Sequence, residues 1–102
     1  MLAVPLGHST ILFLDLSNSY HVQWGIVESL YAKKDANGSK SCNFPLSFTS
    51  ACFNIVGVQK ETTQRNTLAF TIDSVSQFTA TMFNEASATN HTVDVFYQAI
   101  GS

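Results

Sequence analysis

Between Tyr20 and Ile100 a series of short runs, separated by polar connections, alternates apolar and polar residues with a period of two. The pattern sets Val22, Trp24 and Ile26 on one face of "YHVQWGIVESL", Leu68, Phe70 and Ile72 in "TLAFTID", Phe78, Ala80 and Met82 in "QFTATMF", and Val93, Val95, Tyr97 and Ala99 in "TVDVFYQAI". Successive side chains of a strand point to opposite faces, so this spacing predicts half-buried strands. "ACFNIVGVQK" fits in either of two phases, Phe53 with Ile55 or Cys52 with Val56 and Val58. Nowhere does a capping residue introduce a helical apolar pattern longer than one turn, so helix is not expected. "KSCNFPLSF" reads as a sixth strand; because proline cannot donate to a ladder, Pro45 assigns it to a sheet edge or a bulge. "TILFLDL", at 10 to 16, is either a seventh strand or an arm lying on a neighbouring subunit. The expected fold is all-β, an antiparallel β-sandwich knob of about six to seven strands, with residues 1–17 an arm or extra strand and 18–102 the sandwich.

A chain of 102 residues suits one domain. Only 12% of its residues are charged, against a usual ~25%, while Ser, Thr, Asn and Gln fill 34 positions, so the surface is polar but largely uncharged. A net charge of −2 and five scattered basic residues create no field that would gather nucleic acid or anionic lipid. The longest apolar run, Ile11 to Leu14, is far too short to cross a bilayer as a helix. Eight Phe, three Tyr and one Trp are ample for a small core, and some are expected to face a partner subunit. Cys42 and Cys52 are too few for a disulfide framework and read as two small buried thiols, although they could face each other across a hairpin centred on "FPLSFTSA". They form no metal-ligand spacing with His8, His21 or His91, and neither metal nor cofactor is expected.

Within "QWG", Trp24 shares a face with Val22 and Ile26 and is expected to anchor the core, with Gly25 marking a bulge on the opposite face. The alternative sets Gly25 against a symmetry mate. If successive strands reverse direction, the connections at 31–40, 61–66 and 84–91 emerge at one end and the short turns at 49–50 and 74–76 at the other, which also holds Ser19 and Gly101. One end is then plain and the other carries long polar loops, where binding residues are expected.

Three motifs in order carry a resemblance: Gln23, Trp24 and Gly25 in "YHVQWGIVE"; Phe44, Pro45 and Phe48 in "NFPLSFTSACFNIVGVQ"; and Tyr97, Ala99, Ile100 and Gly101 in "VDVFYQAIGS". Over about residues 18–102 the chain resembles the C-terminal domain of bacteriophage and prophage tail-fibre proteins. That resemblance implies a β-sandwich knob, usually homotrimeric, at the tip of a virion fibre assembled in the bacterial cytoplasm. It also implies contact with a host-surface receptor, commonly a polysaccharide or an outer-membrane protein. The segment before residue 18 departs from the glycine- and asparagine-rich lead of the family; as a shaft-proximal element it would belong to the shaft or strengthen the trimer.

For a sugar receptor the loop candidates are Tyr31 for ring stacking, Asp35, Asn37, Asn90 and His91 for directional hydrogen bonds, and Lys33 and Arg65 for acidic substituents. Each is equally what a solvated loop contains, and "DANG" has turn chemistry of its own, with Gly38 free to adopt positive φ. Catalysis is not expected. No G-x-S-x-G elbow is present, and a carboxylate pair for glycoside cleavage would have to come from Asp35, Glu61 and Glu85. Beside the receptor-binding tip stand two other readings: a structural trimerisation cap, and a soluble lectin of the same sandwich-trimer style, akin to H-type lectins.

Overall fold

The structure, a computed structural model, describes the backbone of residues 2–6 and 9–16 and, in full, residues 20–60 and 64–102. Eight strands run in order: β1 (Leu2–Leu6), β2 (Ser9–Leu16), β3 (Tyr20–Ala32), β4 (Ala36–Asn43), β5 (Cys52–Gln59), β6 (Asn66–Ile72), β7 (Gln77–Asn84) and β8 (His91–Gly101). No helix occurs among the described residues. Two antiparallel sheets face each other, β3-β8-β5 on one side and β4-β7-β6 on the other. The β1–β2 hairpin prolongs the first sheet at its β3 edge through Leu14–Leu16 alone, paired with Val22–Tyr20.

Alternation places the core as the sequence leads one to expect in β7 and β8. Phe78, Ala80 and Met82 point inward from β7, and Val93, Val95, Tyr97 and Ala99 from β8, all buried. Phe78 lies within ring contact of Phe44, Phe70 and Tyr97, at 4.8, 6.3 and 4.8 Å, so one aromatic string bridges the two sheets. β3 is a long strand whose register shifts between Val27 and Leu30; Ser29 there takes φ 57°, and its N–H donates to the Asp94 carboxylate at 3.0 Å. The bulge turns Leu30 and Ala32 back into the core.

Trp24 is not a core anchor. The inner row of β3 is His21, Gln23, Gly25 and Val27, and Trp24 lies half-exposed on the outer face, its indole N–H donating to Gln98 Oε1 at 3.1 Å. Gly25 marks neither a bulge nor a contact with a symmetry mate. A Cβ there would stand 2.5 Å from the Tyr97 hydroxyl oxygen, so the missing side chain is the room Tyr97 occupies.

Two further expectations shift. The polar run 31–40 is not one long loop: only residues 33–35 turn, and Ala36–Asn43 is a strand at the edge of the second sheet. Positive φ falls on Asp35, at 51°, rather than on Gly38, so Asn37 sits in a strand paired with Phe83. "KSCNFPLSF" is strand only as far as Asn43; residues 44–51, Pro45 included, form a crossing between sheets rather than a hairpin. Cys42 and Cys52 stand on strands of opposite sheets, and both thiols are free.

Candidate functional site

Strand directions sort the connections to two poles. At one pole lie residues 44–51 and 73–76, tied to the last residue of the chain: Ser102 O accepts the N–H groups of Ser50 and Ala51, and Ser102 N–H returns a bond to Ala51 O. At the other pole lie residues 33–35, 60–65 and 85–90. The gathering of connections therefore follows the alternation argument, whereas their lengths do not. The longest described connection, 44–51, is at the pole expected to be plain.

The far pole, that of 33–35, 60–65 and 85–90, is built on side-chain amides. Asn84, fully buried at the end of β7, donates from Nδ2 to Ala32 O and Thr89 O at 3.2 and 2.9 Å, and its Oδ1 accepts from Ala86 N–H at 2.9 Å. One residue thus spans the 85–90 connection and pins it to β3. Asn90 Oδ1 accepts from Lys34 N–H at 2.9 Å, and Asp35 N–H donates to Ala86 O at 2.8 Å, which lays the 33–35 turn against the same connection. On the other flank, His91 Nδ1 donates to Asn66 Oδ1 at 2.7 Å, Asn66 Nδ2 donates to Gln59 Oε1 at 2.9 Å, and Gln59 Nε2 donates to Gln64 O. This tautomer leaves His91 Nε2 to accept from the Thr89 hydroxyl at 3.3 Å.

These ties frame a recess of about 470 Å³ lined by Gln64, Arg65, Glu85, Ala86, Thr89 and His91. Glu85 Oε1 accepts from the Thr67 hydroxyl at 3.3 Å, and Arg65 is exposed at the rim. Gln64 Oε1 is buried and, among the described residues, has no hydrogen-bond partner. Among the described residues no group of three or more His, Cys, Asp or Glu is placed to hold a metal ion.

The sequence candidates divide accordingly. Arg65 and His91 line the recess, His91 as a buried framework residue. Lys33, Asp35 and Asn90 share the far pole beside it, Asn90 being spent on the Lys34 backbone. Tyr31 is exposed at the end of β3, paired with Thr92, and Asn37 lies on the second sheet, so neither borders the recess. Gln64, Ala86 and Thr89 were not singled out by sequence, because a polar loop residue carries no periodic signal. Glu61, the third carboxylate considered for catalysis, lies outside the described residues.

Of the residues that carried the resemblance, Gln23, Phe44, Phe48 and Gly101 meet at the near pole. Gln23, fully buried, clasps Leu46 with both amide atoms: Leu46 N–H donates to Oε1 at 3.2 Å and Nε2 donates to Leu46 O. Phe48 plugs the base of the sandwich, its ring stacked on His21 at 4.4 Å and edge-on to Phe44 at 5.0 Å. A Cβ on Gly101 would strike both Ala51 O and the Phe48 ring. Burial pushes the Tyr97 phenol well above its ordinary range and raises both cysteine thiols, which makes the thiols poor nucleophiles.

Residues 16–102 match the model of the family described as tail fiber protein gp53-like, C-terminal. The chain belongs to that family. The same fold recurs in solved fibres. An N-truncated R1-type pyocin tail fibre aligns with a TM-score of 0.67 at 21% identity, over 81% of this chain and 71% of that one. An N-truncated R2-type pyocin tail fibre aligns at 0.63 and 23%, over 100% of this chain and 38% of that one. A longer R1 pyocin fibre of P. aeruginosa gives 0.67 and 21%, with the chain covering 23% of its length. No curated protein sequence matches the chain. The domain is thus the C-terminal domain of a phage-type tail fibre, a structural component of a phage or phage-like particle.

Proposed function

We propose that this tail-fibre domain is the homotrimeric tip that binds a bacterial cell-surface receptor during adsorption, with the far-pole recess as the contact site and a surface glycan as the ligand. The carrying observation is the recess itself: two connections, held by Asn84 and by Asn66, border a buried acceptor on Gln64 with Arg65 and Glu85 beside it. A sugar hydroxyl supplies the donor that Gln64 Oε1 lacks, and Arg65 suits an acidic substituent by its forked guanidinium. Prior fixation of the loops by amides lowers the ordering cost of binding. Three copies side by side multiply weak contacts, so each site works at modest affinity. The role is adhesive and non-catalytic.

The test is adsorption of the fibre to its host cells by Gln64→Leu combined with Arg65→Ser, with Ser39→Ala on the second sheet as control. Expected is a loss of adsorption at least tenfold, about 1.4 kcal/mol, in the double variant with thermal stability unchanged. Adsorption equal to that of the control would remove the recess as the receptor site and leave a trimerisation cap.

A further inference from the structure

The outer faces of the two sheets have opposite chemistry. Register aligns three rows across β3-β8-β5: Val22–Ile100–Asn54, Trp24–Gln98–Val56 and Ile26–Phe96–Val58. Seven of these nine positions are apolar, two are amides and none is charged. The matching rows of β4-β7-β6 are Asn37–Phe83–Thr67, Ser39–Thr81–Ala69 and Ser41–Thr79–Thr71, seven of nine bearing a hydroxyl or an amide. The second face is suited to water. On the first, Val56, Val58 and Phe96 are 53%, 63% and 47% exposed, and Tyr20 and Phe53, ring to ring at 5.9 Å, extend the patch at 50% and 53%. The β1–β2 hairpin continues this sheet at its β3 edge, through Leu14–Leu16 paired with Val22–Tyr20.

We infer that the outer face of β3-β8-β5 is the surface by which copies of this chain pack together, Trp24 and Phe96 of one copy against Val56 and Val58 of the next. This rests on the proposed assembly of copies and not on the receptor site. The five exposed side chains present on the order of 500 Å² of apolar surface, at the upper end of what a lone domain shows. A standard interface takes about 800 Å² from each partner, a little over half of it apolar, so this surface, divided between two neighbours, supplies roughly half of the apolar share of each contact. A glycan does not fit this face, since nine positions offer two amides to its hydroxyls. A second copy does, because the centre of the face carries no charge to bury unpaired, while the charged Asp94 and Lys60 fall at its far-pole rim, where a polar rim surrounds an apolar contact. The face is also two-sided, with Trp24 on β3 at one flank and Val56 and Val58 on β5 at the other. A groove of about 330 Å³ between Trp24, Val56, Val58, Phe96 and Gln98 can receive a neighbour's side chain. Such head-to-tail contacts make a ring when the rotation between copies closes, as a trimer requires.

Trp24 is the sole tryptophan and sits in this groove, so it reports directly on coverage. The experiment combines sedimentation mass with acrylamide quenching of Trp24 in the full chain, for wild type, Val58→Asp and, on the opposite face, Thr81→Asp. Expected is an associated wild type with shielded Trp24, several-fold stronger quenching in Val58→Asp with its β-sheet circular dichroism intact, and no change in Thr81→Asp. A wild type that sediments as several copies with Trp24 open to acrylamide would overturn this face while leaving assembly standing. One that sediments as a single copy would overturn both. If Val58→Asp alters the circular dichroism, Phe96→Gln carries the same comparison, and unchanged quenching in it counts against the face.

Discussion

The two poles of the sandwich are held by different forces. The near pole is packed: Phe44 and Phe48 close the base, His21 stacks on Phe48, and a single amide, Gln23, clasps the crossing loop. The far pole is tied: Asn84, Asn66 and Asn90 hold three connections by hydrogen bonds above Leu30, Met82 and Val93. Apolar packing stabilises in proportion to buried area, whereas each hydrogen bond adds a modest net amount and fixes direction. The difference teaches that the near pole sets whether the domain folds, and the far pole sets the shape it presents.

Three substitutions would break or sharpen that contrast. Phe48→Ala removes the near-pole plug and is expected to cost about 3–5 kcal/mol in urea unfolding, since the site cannot collapse around Gly101. A cost below that of a surface change would mean that the near pole is not the keystone. Asn84→Ala deprives three backbone groups of partners and is expected to cost roughly 1–3 kcal/mol. Hydrogen exchange should accelerate at 85–90 and stay slow at 44–51; acceleration at both would merge the poles into one cooperative unit.

The smallest effect concerns Tyr97, which lies between the poles. Its pKa in the folded chain is raised above the ordinary 10.0, so folding favours the protonated phenol. The unfolded chain loses that proton first. The contribution is therefore full below pH 10.0 and is lost as pH rises above it. Cys42 and Cys52 act in the same direction above their ordinary 9.0. Urea midpoints measured from neutral to alkaline pH should fall less steeply for Tyr97→Phe than for wild type, and parallel curves would rule the phenol out as a contributor.

Where one face of a strand meets the core and the other meets water, the sequence speaks clearly. β7 and β8 alternate that way, and their inner rows were evident from Phe78 to Met82 and from Val93 to Ala99. β3 was ambiguous because both of its faces are apolar, and size suggested that Trp24 belonged inside; the deciding fact, that Gly25 makes room for Tyr97, depends on a strand some seventy residues away. Only the Lys40–Asn43 end of β4 was read as strand; the Ala36–Ser39 half was hidden because the inward row of Gly38, Lys40 and Cys42 has no apolar period, and pairing with β7 creates it. The bulge at Cys52 to Asn54 gave β5 its two phases. Of the recess, Arg65 and His91 were among the loop candidates, but Gln64 and Thr89 look like any solvated residues until Asn66 and Asn84 bring their loops together.

Each far-pole connector leaves from a strand and returns to a strand that the core already fixes. Lengthening such a connector costs only about 0.6 kcal/mol for each doubling of its length. The anchoring amides Asn84 and Asn66 lie within the strands rather than in the connectors. New residues could therefore be grafted between those anchors, altering what the tip adheres to, while the aromatic base goes on folding the domain unchanged.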